Sequence, residues 1–383
     1  MSSPLPVHPQ PLPDELFSSW VYRVARANGQ NVFSFCYLLI PEMRNTYYNL
    51  DYVVTEQILQ KLSMPLRVTY FRSRETTLDS YSGKLFASST PKANRKACIL
   101  QTGSQKNNHR RYCLQYCPLC LAEGEPYYRK VWRVSFITVC SRHACQLYDR
   151  CPRCSSPIRP LLNDVGQPHK MPFLGAITQC FHCAFDLKNT VACVAKADVV
   201  KDTILYERIL REGFIKLEVG SNWIYSFSFF QVLRHLMRLV LREVVRDQEK
   251  DNIQDPDMLP HNLRYQCMSL LTGVFSNWPS QFMAFCINNK LIYSDFTNNT
   301  NKRPLIPYWL EKNIRQNLYS PNSPPSEQSV IAAIDYLIAH DKRLNASALN
   351  RLLGYEDSGV IKKVLKSYQR NKLFHLPYMR KPE

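Results

Sequence analysis

The chain has 383 residues, 45% of them hydrophobic and 12% aromatic, and Lys plus Arg exceed Asp plus Glu by 49 − 31 = 18. That composition suits a folded protein of two or three domains and excludes wholesale disorder. The surplus of positive charge points to a polyanionic partner, most simply nucleic acid, although phosphate contacts alone read no sequence.

Pro11 and Pro13 lead into a predicted helix opened by Asp14 and Glu15 and stopped by Asn28-Gly29. Leu16, Trp20, Val24 and Ala27 fall on one face of it. Shorter helices are expected from Val32 to Ile40, ending at Pro41, and from Tyr52 to Leu62, stopping before Met64-Pro65. Three such helices form either a helix-turn-helix unit or a small cap packed on the middle of the chain. Residues 66–112 interleave cations with Tyr70, Phe71, Tyr81, Phe86 and Tyr112, and Arg110 and Arg111 close the run. Cations near aromatics suit a nucleic-acid backbone, with a solvated basic surface as the plainer alternative.

The middle of the chain holds four ligand pairs, each with two residues between its members: Cys117 and Cys120, Cys140 and His143, Cys151 and Cys154, Cys180 and Cys183. That spacing lets two side chains on one turn reach one ion, and Zn²⁺ takes four such donors tetrahedrally. Pairing in chain order gives a Cys₃His site and a Cys₄ site, hence two Zn²⁺ per chain, both structural because no coordination position stays open. Spacing alone leaves a crossed pairing open, and unrelated buried cysteines or disulfides are the bland alternative. Cys113, Cys145, Cys193, His169 and His182 lie nearby and read by default as small buried or surface groups. Between the first two pairs, Tyr127 to Val139 is rich in β-formers and reads as a strand pair closing the first site.

From about Asp198 the pattern turns helical. Ile204, Leu205, Ile209, Leu210 and Phe214 recur at helical spacing, and a longer helix follows from Phe229 to Arg246. Arg234, Arg238, Arg242 and Arg246 step along it every four residues, as a solvated face pairing with Glu243 and Glu249 or as a phosphate track. Helices are expected around Cys267 to Phe275, Phe282 to Asn288 and Pro307 to Leu318, the last inside a linker rich in Asn, Ser and Pro. Gln328 to His340, Asn345 to Leu353 and Gly359 onward complete a second triplet. Its last helix brings Lys362, Lys363, Lys366 and Arg370 as candidate nucleic-acid contacts, although the same spacing describes a protein-binding three-helix bundle.

The expected fold is therefore mainly α with small β zinc-ribbon modules, helix-turn-helix-like units at both ends flanking a tandem zinc-binding core. Its expected divisions are residues 1–112, 113–195, 196–297, a linker at 298–326, and 327–383. No phosphate-binding Gly-Lys loop, nucleophile elbow or His-Glu-x-x-His helix occurs, so a binding protein is expected rather than an enzyme. The chain opens without a charged leader and has no apolar run of 18 residues, which points to a reducing cytosol and away from a membrane.

Several of these residues resemble a known family. Pro13-Asp-Glu-Leu-Phe-Ser-Ser-Trp20, Tyr116-Cys-Pro-x-Cys120, Trp132-Arg133, Cys140-x-x-His143, Leu147 and Cys151-Pro-x-Cys154 look like the TniQ/TnsD family of bacterial transposon target-selection proteins. Phe275-Ser-Asn-Trp-Pro279 is similar to a segment of CRISPR-associated TniQ proteins. The resemblance implies a non-catalytic cytoplasmic adaptor that marks target DNA and recruits a TnsC-like AAA+ ATPase and, through it, the transposase. One branch rides on an RNA-guided Cascade complex of Cas proteins and crRNA, in some cases as a head-to-tail homodimer. In the other, TnsD binds an attachment site directly through a longer C-terminal part. About 55 residues follow the linker, which favours the Cascade branch. A zinc-dependent transcription regulator is the alternative outside the family.

Overall fold

The computed structural model describes residues 3–41, 50–87, 96–101, 112–163, 176–218, 222–244, 255–297, 306–318, 325–354 and 359–374. They fall into two compact units, one of residues 1–216 and 222–273, the other of 217–221 and 274–383. The secondary structure is mainly helical, and among the described residues the sheets are two antiparallel pairs of two-residue strands.

The first unit opens with α1 (Phe17–Ala27), α2 (Val32–Leu39), α3 (Leu50–Val53), α4 (Glu56–Leu66) and α5 (Tyr70–Arg74). α1 starts three residues later than its acidic opening predicts. Asp14 and Glu15 do not sit in its first turn; Asp14 meets Arg129 at 3.5 Å and buried Glu15 meets Arg23 at 3.0 Å. Buried Ser18 and Ser19, poor helix formers, are satisfied by Asp51 and Glu15. α4 runs through Pro65, forgoing the hydrogen bond a backbone N–H there would make, and left-handed Arg67 at φ 46° closes the helix just after Leu66.

Next come α6 (Pro118–Ala122), β1 (Val139–Cys140) and β2 (Cys145–Gln146), then α7 (Ala197–Glu212), β3 (Phe214–Ile215), β4 (Ile224–Tyr225), α8 (Ser226–Val244) and α9 (His261–Leu270). The expected strand pair at 127–139 is not formed. Lys130–Arg133 make a 3-10 turn, Arg129 and Val134 form isolated bridges to Glu15 and Ile99, and Val139 with Cys140 forms the two-residue strand. Their β-rich composition reflects burial: Val131, Trp132, Val134, Phe136 and Ile137 are all core residues. Phe136 stacks on Phe230 at 4.6 Å and meets Tyr206 edge-on at 5.7 Å, joining this segment to α8 and α7. Gly213 ends α7 at φ 89°, a left-handed cap, so Phe214 begins a strand.

Of the arginine row on α8, Arg234 does not lie on a solvated face, while Arg246, Glu249 and the side chains of Arg242 and Glu243 lie outside what the structure describes. Arg234 is mostly buried and grips Asp257 at 2.7 Å and Asp255 at 2.6 Å. Asp257, fully buried, also accepts from Cys98 N at 3.0 Å and Ser135 Oγ at 2.7 Å. Arg264, also fully buried, donates to Leu259 O, Ser135 O and Gln115 Oε1 at 3.0, 2.9 and 3.1 Å. A buried charge survives only when its partners are complete, so these two residues fix where α9 meets the middle of the chain.

The second unit holds α10 (Ser280–Asn288), α11 (Tyr293–Thr297), α12 (Tyr308–Leu318), α13 (Glu327–Ala339), α14 (Ala346–Leu353) and α15 (Gly359–Phe374). Trp278 anchors its first half against Phe282 at 4.9 Å and Trp309 at 5.3 Å. The last three helices enclose a core of Val330, Ile334, Leu337, Leu349, Ile361 and Val364.

Candidate metal centres

The four ligand pairs come together in chain order. Cys117, Cys120, Cys140 and His143 form one cluster and Cys151, Cys154, Cys180 and Cys183 the other, each with its donor atoms within 4.8 Å of one another. The crossed pairing is thereby ruled out.

Local backbone geometry explains how each pair aims at one point. Cys117 caps α6, its sulfur accepting from Cys120 N at 3.4 Å, while Pro118 at the first helical position needs no donor partner. The other three pairs share a different device. The residue after the second donor is left-handed in each: Ala144 at φ 48°, Ser155 at 57° and Ala184 at 56°. The chain thus folds back at once, as Ser155 N to Cys151 O and Ala184 N to Cys180 O, both 2.9 Å, record. None of these residues is glycine, so each carries local strain that a bound ion would offset.

In the first cluster His143 Nδ1 lies 3.4, 3.2 and 3.6 Å from the sulfurs of Cys117, Cys120 and Cys140. Its other nitrogen, Nε2, is 2.7 Å from Glu123 Oε1, which fixes the ring and leaves Nδ1 free to donate to a metal. Burial disfavours the imidazolium, yet Glu123 and the sulfurs outweigh it and hold the ring's pKa up to about 9. Hydrogen bonding from Cys120 leads the effects that bring the Cys117 thiol down to about 7. In the second cluster the Cys151–Cys183 and Cys154–Cys180 sulfurs are each 3.6 Å apart. Burial pushes Cys180 up to about 12; it also opposes ionisation of Cys154, but hydrogen bonds led by Ser156 bring that thiol down to about 6. Sulfurs this close, with nothing bridging them covalently, are what a soft or borderline divalent ion collects. The donor set fits zinc, which would be held with four protein ligands and no open position.

Cys145 is buried and outside the set of four donors, as expected, yet it lies close to them. It faces Cys140 across the β1–β2 pair, and its sulfur lies 3.5 Å from that of Cys117. The cross-strand register that delivers it is not legible from a Cys-x-x-His spacing. Cys193 is exposed, His182 is exposed beside Phe181, and Cys113 is buried outside both clusters. His169 lies outside the described residues.

The expected nucleic-acid contacts are placed unevenly. Arg110 and Arg111 lie outside the described residues. Lys362, Lys363, Lys366 and Arg370 are exposed on α15, whose opposite side buries Ile361, Val364 and Leu365.

One further concavity borders the start of the chain, a cleft of about 480 Å³ whose wall includes Asp14, Glu75, Lys84, Arg129, Lys130 and Arg211. Burial raises the pKa of Asp14 against the pull of Arg129 and Lys130. Its carboxylates are engaged internally: Asp14 by Arg129 at 3.5 Å, Glu75 by Lys130 at 3.9 Å, and Glu207 by Ser141 at 2.8 Å.

Comparison with known proteins finds one family for the segment that carries the first cluster. Residues 6–147 match the TniQ family model. The TniQ match runs from before α1 through β2 and contains Cys117, Cys120, Cys140 and His143, while the Cys₄ cluster falls beyond it. Such a match suggests a transposition-associated accessory protein. No match was found among curated proteins. No described helix is long and apolar enough to cross a membrane.

Proposed function

We propose that this protein is a target-selection adaptor of a bacterial transposon. In this reading it is cytoplasmic and carries no catalytic centre. It links an RNA-guided Cascade complex of Cas proteins and crRNA, seated on target DNA, to a TnsC-like AAA+ ATPase. Two zinc ions, one per cluster, hold the middle of the chain in shape, and the helical parts supply docking faces. The observation that carries this reading is the TniQ match, which spans the helical start and the whole first cluster. The buried hydrogen bonds of Asp257 and Arg264 support a rigid connector, since they join residues far apart in sequence.

Co-purification tests it. A tagged chain expressed with Cascade and the ATPase should retain both, in a form that survives nuclease treatment. Failure to retain either would refute the adaptor role. A second reading, a TnsD-like protein that binds an attachment site by itself, is favoured by the exposed Lys362, Lys363, Lys366 and Arg370 of α15. Under it the purified chain would shift an attachment-site duplex without partners, and charge removal on α15 would abolish the shift. In either form a homodimer is compatible with the proposal, and sedimentation of the purified chain would establish it.

A further inference from the structure

The β3–β4 hairpin turns an aromatic face to solvent. Its register sets Phe214 opposite Tyr225 and Ile215 opposite Ile224. Side chains alternate along a strand, so Ile215 and Ile224 go inward while Phe214 and Tyr225 stand out, 40% and 68% exposed. One step further along, Lys216 and Trp223 fall on the same side as Phe214 and Tyr225, and Trp223 is 61% exposed. The Lys216 ammonium lies 4.5 Å from the Trp223 ring centre, and Phe214 meets that ring edge-on at 4.7 Å. Phe227 stacks beneath Tyr225 at 5.7 Å. Rings of this size held open to water mark a surface that something covers.

We propose that this face is a stacking platform for single-stranded DNA. Bases lie on Trp223 and Tyr225, and Lys216 meets the phosphates between them. The chemistry of the patch selects this occupant. Lysine is depleted at the centre of protein–protein interfaces, whereas here a lysine sits over the central ring. Sequence-tolerant single-strand sites combine aromatic rings with nearby cations in this way, and paired bases in a duplex hide the faces that stacking needs. The cations continue past the hairpin. Lys84 accepts from Ser226 Oγ at 2.6 Å through its carbonyl and donates from Nζ to Arg211 O at 3.1 Å, so both residues sit where the hairpin adjoins the basic cleft. With Lys216 they make three cations along this edge, beside exposed Glu212. The choice of a deoxy strand rests on the proposed transposon role; the stacking rings and Lys216 would serve either sugar. The platform does not depend on which target-selection branch holds.

The test uses the full zinc-loaded chain and a fluorescein-labelled oligothymidylate of about twelve nucleotides, within the span such sites cover. Anisotropy should show saturable binding that weakens with salt. Trp223→Ala with Tyr225→Ala should weaken it roughly tenfold or more, as expected for lost base stacking. Lys216→Gln keeps every ring and should flatten the log–log salt slope by about 0.7, one single-strand phosphate contact. Its thermal midpoint should match that of the parent, which separates lost binding from lost folding. Three results would overturn the proposal: oligothymidylate bound no better than a duplex of equal length, Lys216→Gln indistinguishable from the parent, or an oligouridylate preferred tenfold.

Discussion

Cys140→Ser, paired with Cys145→Ser, tests the first metal centre where its geometry is most crowded. Both residues are buried, they face each other across β1 and β2, and each lies beside another sulfur of the cluster. Only Cys140 belongs to the set of four mutually close donors. Structural zinc sites contribute on the order of 10–16 kcal/mol at neutral pH, so one of four donors accounts for about 3 kcal/mol. That is roughly a hundredfold or more in affinity. After washing with a chelator, elemental analysis should find one zinc per chain in Cys140→Ser and two in Cys145→Ser. Hydrogen exchange should report lost protection around Tyr116 and Tyr148, whose backbones bond each other at 2.9 Å, while the Cys₄ turns stay protected. Equal zinc in Cys140→Ser and the parent would refute the donor assignment. If Cys145→Ser alone lost the ion, the sulfur opposite Cys140 would be the true ligand.

Glu123→Gln should weaken metal at the first centre by about 10–100-fold in chelator competition, because the carboxylate that orients His143 is gone while every donor stays. Stability should fall as pH drops from about 6.5 towards 4. Burial holds His261 down to about 4, so in that window the unfolded chain binds a proton that the folded one refuses. The contribution, fully present above the unfolded value, is about 3 kcal/mol; urea midpoints across the range should show it, and His261→Gln should flatten the slope. Asp257→Asn should cost about 3 kcal/mol by urea unfolding. This is the low end for breaking a buried pair, because Asp255 still holds Arg234.

How much of this was legible in the sequence depended on whether the cause was local. The four ligand pairs were readable because two-residue spacing is a local geometric demand, and most helices were readable because their apolar faces repeat along the chain. The strand pair expected at 127–139 failed because valine and aromatic residues there answer to burial against α7 and α8, not to pairing with a neighbour. The solvated place expected for Arg234 on α8 failed for a related reason. Periodicity gives the side of a helix on which Arg234 falls, but its carboxylate partners arrive from residues 255 and 257. The place of Cys145 beside Cys117 is set by strand register, which no spacing within the chain reveals. The aromatic face of the hairpin was hidden too, since Phe214 reads as the last turn of a helix.

The buried contacts of Asp257 and Arg264 bear on how such a protein can be taken apart. Their partners, Gln115 and Ser135, lie inside the segment matched to TniQ, but the two charged residues come more than a hundred positions later. A fragment cut at the edge of the family match would strand polar atoms in an apolar interior and should not hold its shape. Recombining the front of this protein with the rear of a relative would therefore have to carry α9 and the turn before it along as part of the front.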